Sequence, residues 1–96
     1  MTLKPRDITR TLRILYPQVD LTTRAAGPGE FTVTMPAVSA RGMGISRDNG
    51  YAADWISRNL GERVHIAAVE FPPRRSDRYG PRAVITLRPG PARRPR

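Results

Sequence analysis

Ten prolines and eight glycines stand in a chain of only 96 residues. Each proline fixes its own φ and removes a backbone donor, and each glycine adds backbone freedom that folding must take away. Regular elements are therefore few, and long connections join them. A chain of this length forms one domain and buries only about two thirds of the surface it exposes when unfolded. With 39% hydrophobic and 26% charged residues, its composition is still that of a globular chain rather than a disordered one. One compact core with irregular arms is the expectation.

The punctuation places the elements. Lys4-Pro5-Arg6-Asp7 opens a helix, with Pro5 suited to the first helical position and Asp7 favourable against the N-terminal dipole. Ile8, Leu12 and Leu15 then recur at i, i+4 and i+7 as one apolar stripe, and Tyr16-Pro17 ends it. Residues 19–23 and 31–35 read as strands around the turn Gly27-Pro28-Gly29-Glu30; in the second, Phe31, Val33 and Met35 share one face and Thr32 and Thr34 the other. Residues 40–47 read as a small-residue connection into a second helix, from about Asp48 to Leu60. Its apolar face is Ala52, Trp55, Ile56 and Leu60, with Trp55 the largest apolar side chain offered to the core and Gly61 at the cap. Two strands follow, at 63–71 and 82–88. The first changes phase between Val64 and Ile66 and Val69 and Phe71, which a bulge near Ala67-Ala68, or burial of both faces, would reconcile. Between them lies the ten-residue loop PPRRSDRYGP, and the domain (1–88) ends in a flexible basic tail, RPGPARRPR (89–96 beyond Arg88). The order is α, β, β, α, β, β.

The net charge is +9, and its placement is uneven. Residues 1–71 carry nine basic and seven acidic side chains, whereas residues 72–96 carry eight arginines against Asp77 alone. Such a field attracts polyanions and speeds their association. Sixteen of the seventeen cations are arginine, whose planar fork suits phosphates and base edges. GC-rich codons would also raise arginine over lysine, but they do not explain the clustering. The absence of cysteine excludes disulfides and thiolate metal sites. No run of apolar residues is long enough to span a membrane, and the start lacks the apolar core of a secretory signal, so a cytoplasmic protein is expected.

The stretch Ala40-Arg41-Gly42-Met43-Gly44-Ile45-Ser46-Arg47 carries the pattern A-R-G-x-x-I-S-[RK]. A helix with Ala53, Ile56, Arg58 and Asn59 follows, then a V-x-I strand (Val64, Ile66), an arginine-rich arm and a last strand; Lys4-Pro5 precedes the first helix. In these features the chain resembles the Alba family of chromatin proteins, and more loosely stage V sporulation protein S. Only three residues precede Lys4, so the family's first strand is missing or shortened, and the segment from Pro5 to Ala40 is longer than in the family; the strand at 19–23 could fill the vacated edge. The resemblance implies an α+β two-layer sandwich, a mixed sheet of three to four strands with two helices on one face. It also implies a homodimer that binds double-stranded DNA or RNA. The binding residues it maps here are Lys4 with Arg6, Arg41 and Gly42 with Arg47, and Arg74, Arg75, Arg78 and Arg82 in the arm.

Gly42-x-Gly44 can be a structural turn or a phosphate cradle; it lacks the spacing of dinucleotide and P-loop motifs. The arm at 72–82, stiffened by Pro72, Pro73 and Pro81, can follow a duplex backbone or remain a solvated charge run, and Tyr79 can stack on a base or pack. His65, alone and without cysteine partners, reads as packed rather than ligating, and no serine has a nucleophile context. The expectation is a non-enzymatic, cofactor-free, mainly sequence-independent binder of duplex DNA. An RNA-binding ribonucleoprotein accessory, or a regulatory protein with an acidic protein partner, remains open. No small-molecule substrate is evident.

Overall fold

The computed structural model describes residues 3–46, 50–71 and 82–90. Its elements are α1 (Pro5–Leu15), β1 (Thr22–Gly27), β2 (Glu30–Pro36), α2 (Ala37–Gly42), α3 (Gly50–Leu60), β3 (Val64–Glu70) and β4 (Arg82–Pro89).

Pro5 occupies the first position of α1, and the Asp7 carboxylate accepts the Lys4 backbone N–H at 2.9 Å, so charge and hydrogen bond together start the helix. Ile8 and Leu12 are fully buried and Leu15 packs beside them. The helix stops where Tyr16 N–H donates to the Leu12 carbonyl at 2.7 Å and Pro17 forbids continuation. β1 and β2 form a hairpin around Gly27-Pro28-Gly29, with Gly29 at φ 71°, a region that favours glycine. The first strand thus begins at Thr22, later than the 19–23 expected, because Leu21 is drawn into the core before pairing starts.

The sheet order is β1-β2-β4-β3. Phe31, Val33 and Met35 of β2 and Ala83, Ile85 and Leu87 of β4 face one side and are buried with Ile8, Leu12, Ala52, Ala53 and Ile56. The register of β3 on β4 slips between Ile66 and Ala68, so Ala67 is the bulged position and Val69 comes round opposite Ile85. Of the two ways to reconcile the phase change in the sequence, the bulge is the one found. On the other side of the sheet Thr32, Thr34, Val84, Thr86 and Ala68 are only half-buried.

The architecture is α+β, a four-stranded sheet layered with helices. Three features differ from expectation. The sheet is antiparallel throughout the described pairings rather than mixed. The crossover from β2 through two helices to β3 does bring a parallel strand back, but β4 returns between them and pairs antiparallel with both. A third helix, α2, occupies part of the expected connection; at six residues it is too short to show an apolar period. Trp55 is 40% exposed, not a core residue. The buried arc of α3 is Ala52, Ala53, Ile56 and Ser57, and Trp55 falls outside it. Among the described residues no helix is long and apolar enough to cross a membrane.

Candidate nucleic-acid interface

The two ends of the arginine arm leave the sheet side by side. Glu70 pairs with Val84 and Pro36 with Arg82, so Phe71, Arg82 and the start of α2 share one end of the sheet. Arg41, in the last turn of α2, holds its guanidinium carbon 4.7 Å from the centroid of the Phe71 ring. This cation–π contact fixes the charge at the root of the arm without consuming an acceptor oxygen, and Arg41 is exposed. The fold therefore joins Arg41 to the arm, two features far apart in sequence.

Arg82 is placed there too, but its charge is engaged. Its Nη2 donates to Asp20 Oδ2 at 3.1 Å, and the Arg82 side chain is 26% exposed against 74% for Asp20. Arg47, Arg74, Arg75 and Arg78 lie outside the described residues, as do Tyr79 and the last six residues of the tail. The described chain is pinned as far as Gly90, whose N–H donates to the Arg63 carbonyl at 2.9 Å. His65 Nδ1 lies 2.9 Å from the Gly90 carbonyl, a packing role, and among the described residues no group of three or more His, Asp or Glu could hold a metal.

Gly42 lies at a helix C-terminus, not at the helix N-terminus on which a phosphate cradle is built. It ends α2 rather than opening a helix, and the turn after it is a Schellman cap: Ile45 N–H donates to the Ala40 carbonyl and Gly44 N–H to the Arg41 carbonyl, both at 3.0 Å. Gly44, at φ 69°, takes the left-handed cap position, and Ile45 is buried beneath it. The N–H groups of Gly44 and Ile45 are spent on these bonds, and a helix C-terminus presents carbonyls, which repel phosphate. The turn alternative of the motif is the one realised.

Lys4 and Arg6 are exposed at the start of α1, and no contact among the described residues links them to Arg41 or Arg82. Arg6 instead belongs with two arginines that the motif reading passed over. Arg6, Arg10 and Arg13 line an open groove of about 640 Å³ on the outer side of α1, with Thr9, Ile14 and Thr23 of β1. The signal was present in the sequence: the i, i+4, i+7 spacing of these arginines lies opposite the Ile8, Leu12, Leu15 stripe. Of the other described arginines, Arg63, Arg82 and Arg88 are paired, while Arg24, Arg41 and Arg58 have no ion pair among the described residues. Arg63 pairs with Asp54, and Arg88 Nε donates to Glu30 Oε2 at 2.7 Å, whereas Arg6, Arg10 and Arg13 have no ion pair among the described residues. Comparison of the chain with protein-family models, curated proteins and solved structures finds no match.

Proposed function

We propose that the chain is a non-catalytic nucleic-acid-binding protein that holds duplex DNA mainly through arginine–phosphate contacts, with little sequence preference, coating or compacting it in the cytoplasm. The observation that carries this reading is the gathering of Arg41, stacked on Phe71, with both roots of the arginine-rich arm at one end of the sheet. Four of the eight arginines that follow Phe71 belong to the arm, against Asp77 alone, so the arm adds positive field at the end from which it leaves. In the Alba-like reading, β1 supplies the sheet edge from after the first helix, where the family has a strand before it. The reading includes a homodimer. Tyr51 and Trp55 stand one turn apart on α3, 70% and 40% exposed, and a second copy is the occupant that would cover them, since a small sheet with three helices leaves apolar surface to bury.

A mobility-shift series with duplex DNA, duplex RNA and single strands, repeated across salt concentrations, tests the reading. Duplex DNA should bind tightly at low salt and weaken steeply as salt rises. Replacing Arg74 and Arg75 by alanine should make the slope of log affinity against log salt shallower by about 1.8, two phosphate contacts' worth. Preference for RNA would move the protein to the ribonucleoprotein alternative, and no binding to any of these probes would leave the acidic-partner alternative.

A further inference from the structure

We propose that the outer face of α1 is a second backbone-binding tract, in which Arg6, Arg10 and Arg13 contact consecutive phosphates of one nucleic-acid strand lying along the groove beside β1. The proposal rests on the nucleic-acid reading and adds to it a surface that neither the arm nor the A-R-G motif includes.

The geometry suits an extended polyanion. At about 1.5 Å of rise per residue, Arg6 to Arg13 spans roughly 10 Å of helix axis. The rise of about 3.4 Å per nucleotide is measured along the duplex axis, and successive phosphates of one strand lie roughly twice as far apart, so the row with its long side chains reaches about two to three of them. The three cations fall within one narrow arc of the helix, and the groove they line contains no acidic side chain. Asp7 is the one carboxylate on α1, and it is turned back onto the Lys4 backbone N–H at 2.9 Å. A small anion would need polar groups converging on one point, whereas here the charges are spread in a line along an open groove.

Two further features of the groove fit a sugar-phosphate backbone. Ile14, 68% exposed among the arginines, offers an apolar contact for a sugar or base face. Thr9, also on the groove wall, adds a hydroxyl beside the arginines. The tract is also set apart in charge. The chain from residue 4 to residue 15 holds four cations against Asp7, an excess hidden in the near balance of residues 1–71.

The test measures binding of a fluorescent DNA duplex and the matching RNA duplex by anisotropy over a salt series, for the full chain and three double variants. Arg10→Ala with Arg13→Ala should make the salt slope on DNA shallower by about 1.8, as two lost phosphate contacts would. Arg74→Ala with Arg75→Ala should do the same independently. Arg24→Ala with Arg58→Ala removes equal charge from exposed positions outside the groove and should leave the slope unchanged. Circular dichroism and melting should be preserved in every variant. An unchanged slope for Arg10→Ala/Arg13→Ala, with tight binding by the parent chain, overturns the tract and leaves the nucleic-acid reading standing. An equal loss in the Arg24→Ala/Arg58→Ala control also overturns it, because net charge alone would then account for the effect. Failure of the parent chain to bind either duplex at low salt removes both. Polyglutamate held through Arg10 and Arg13, with duplex binding indifferent to them, would reassign the surface to an acidic protein.

Discussion

Replacing Asp20 by asparagine should strengthen nucleic-acid binding. Arg82 is the only described member of the arm, and the Asp20 carboxylate holds it through a 3.1 Å bond. With 74% of its side chain exposed, Asp20 also sets a negative charge at the very end of the sheet where phosphates would approach. The substitution keeps the shape, frees the Arg82 fork and removes that repulsion. Its cost to the fold is small, about 0–1 kcal/mol for a pair so open to solvent. One additional phosphate contact steepens the salt slope by about 0.9, so from about 50 to about 200 mM salt the advantage of the variant should shrink by roughly 3.5-fold. Anisotropy titrations of a duplex at several salt concentrations measure both the gain and its decay. Glu30→Gln is the control. It removes the same charge from the Arg88 pair, which lies at the opposite end of the sheet beside the hairpin, and it should leave the slope unchanged. Equal behaviour of the two variants, or an unaltered slope for Asp20→Asn in a folded protein, would refute the placement of the interface at the arm end.

Two further substitutions probe the frame and the assembly. Ser57 is buried where α3 meets β3: its hydroxyl donates to the Ala53 carbonyl at 2.7 Å and accepts the Val64 N–H at 3.0 Å. Ser57→Ala strands that N–H and should cost about 1–3 kcal/mol in urea denaturation, and a cost near zero would mean the bond is dispensable. Trp55→Glu should convert a dimer to a monomer in light scattering while shifting the melting temperature little, since the indole lies outside the buried arc of α3; a parent chain that is monomeric at high micromolar concentration would end the dimer proposal.

How far the fold could be read varied with how local its causes are. The α1 stripe, the alternation in β2 and β4 and the phase slip in β3 are each written in a few neighbouring residues, and each is found where the periodicity put it. The antiparallel order depends on where β4 inserts, a long-range choice that no local pattern encodes. Trp55, the largest apolar side chain of α3, lies outside the buried arc of Ala52, Ala53, Ile56 and Ser57, because the rotation of the helix against the sheet, not side-chain size, decides which positions are covered. The A-R-G stretch left two alternatives open in the sequence. Gly44 was legible as a glycine that the backbone needs, but whether such a glycine ends one helix or begins the next depends on α2, which is too short to announce itself.

The candidate interface raises the same issue in terms of charge. Counting residues puts the cationic excess in the last quarter of the chain, and there the count is sound. Counting cannot show which arginines are spent. Asp20 and Arg82 are 62 residues apart and Glu30 and Arg88 are 58 apart, so only tertiary structure pairs them. Arg63 is likewise tied to Asp54. These pairings draw carboxylates of the nearly neutral part of the chain onto arginines elsewhere in the fold. The arginines of α1 are left uncompensated among the described residues, on a face whose geometry the helix fixes. Formal charge per segment therefore understates α1 and overstates the part of the arm represented by Arg82. The surface a polyanion meets is the set of cations left over after folding has made its own ion pairs, and on that basis α1 ranks beside the arm as a place to look for phosphate contacts.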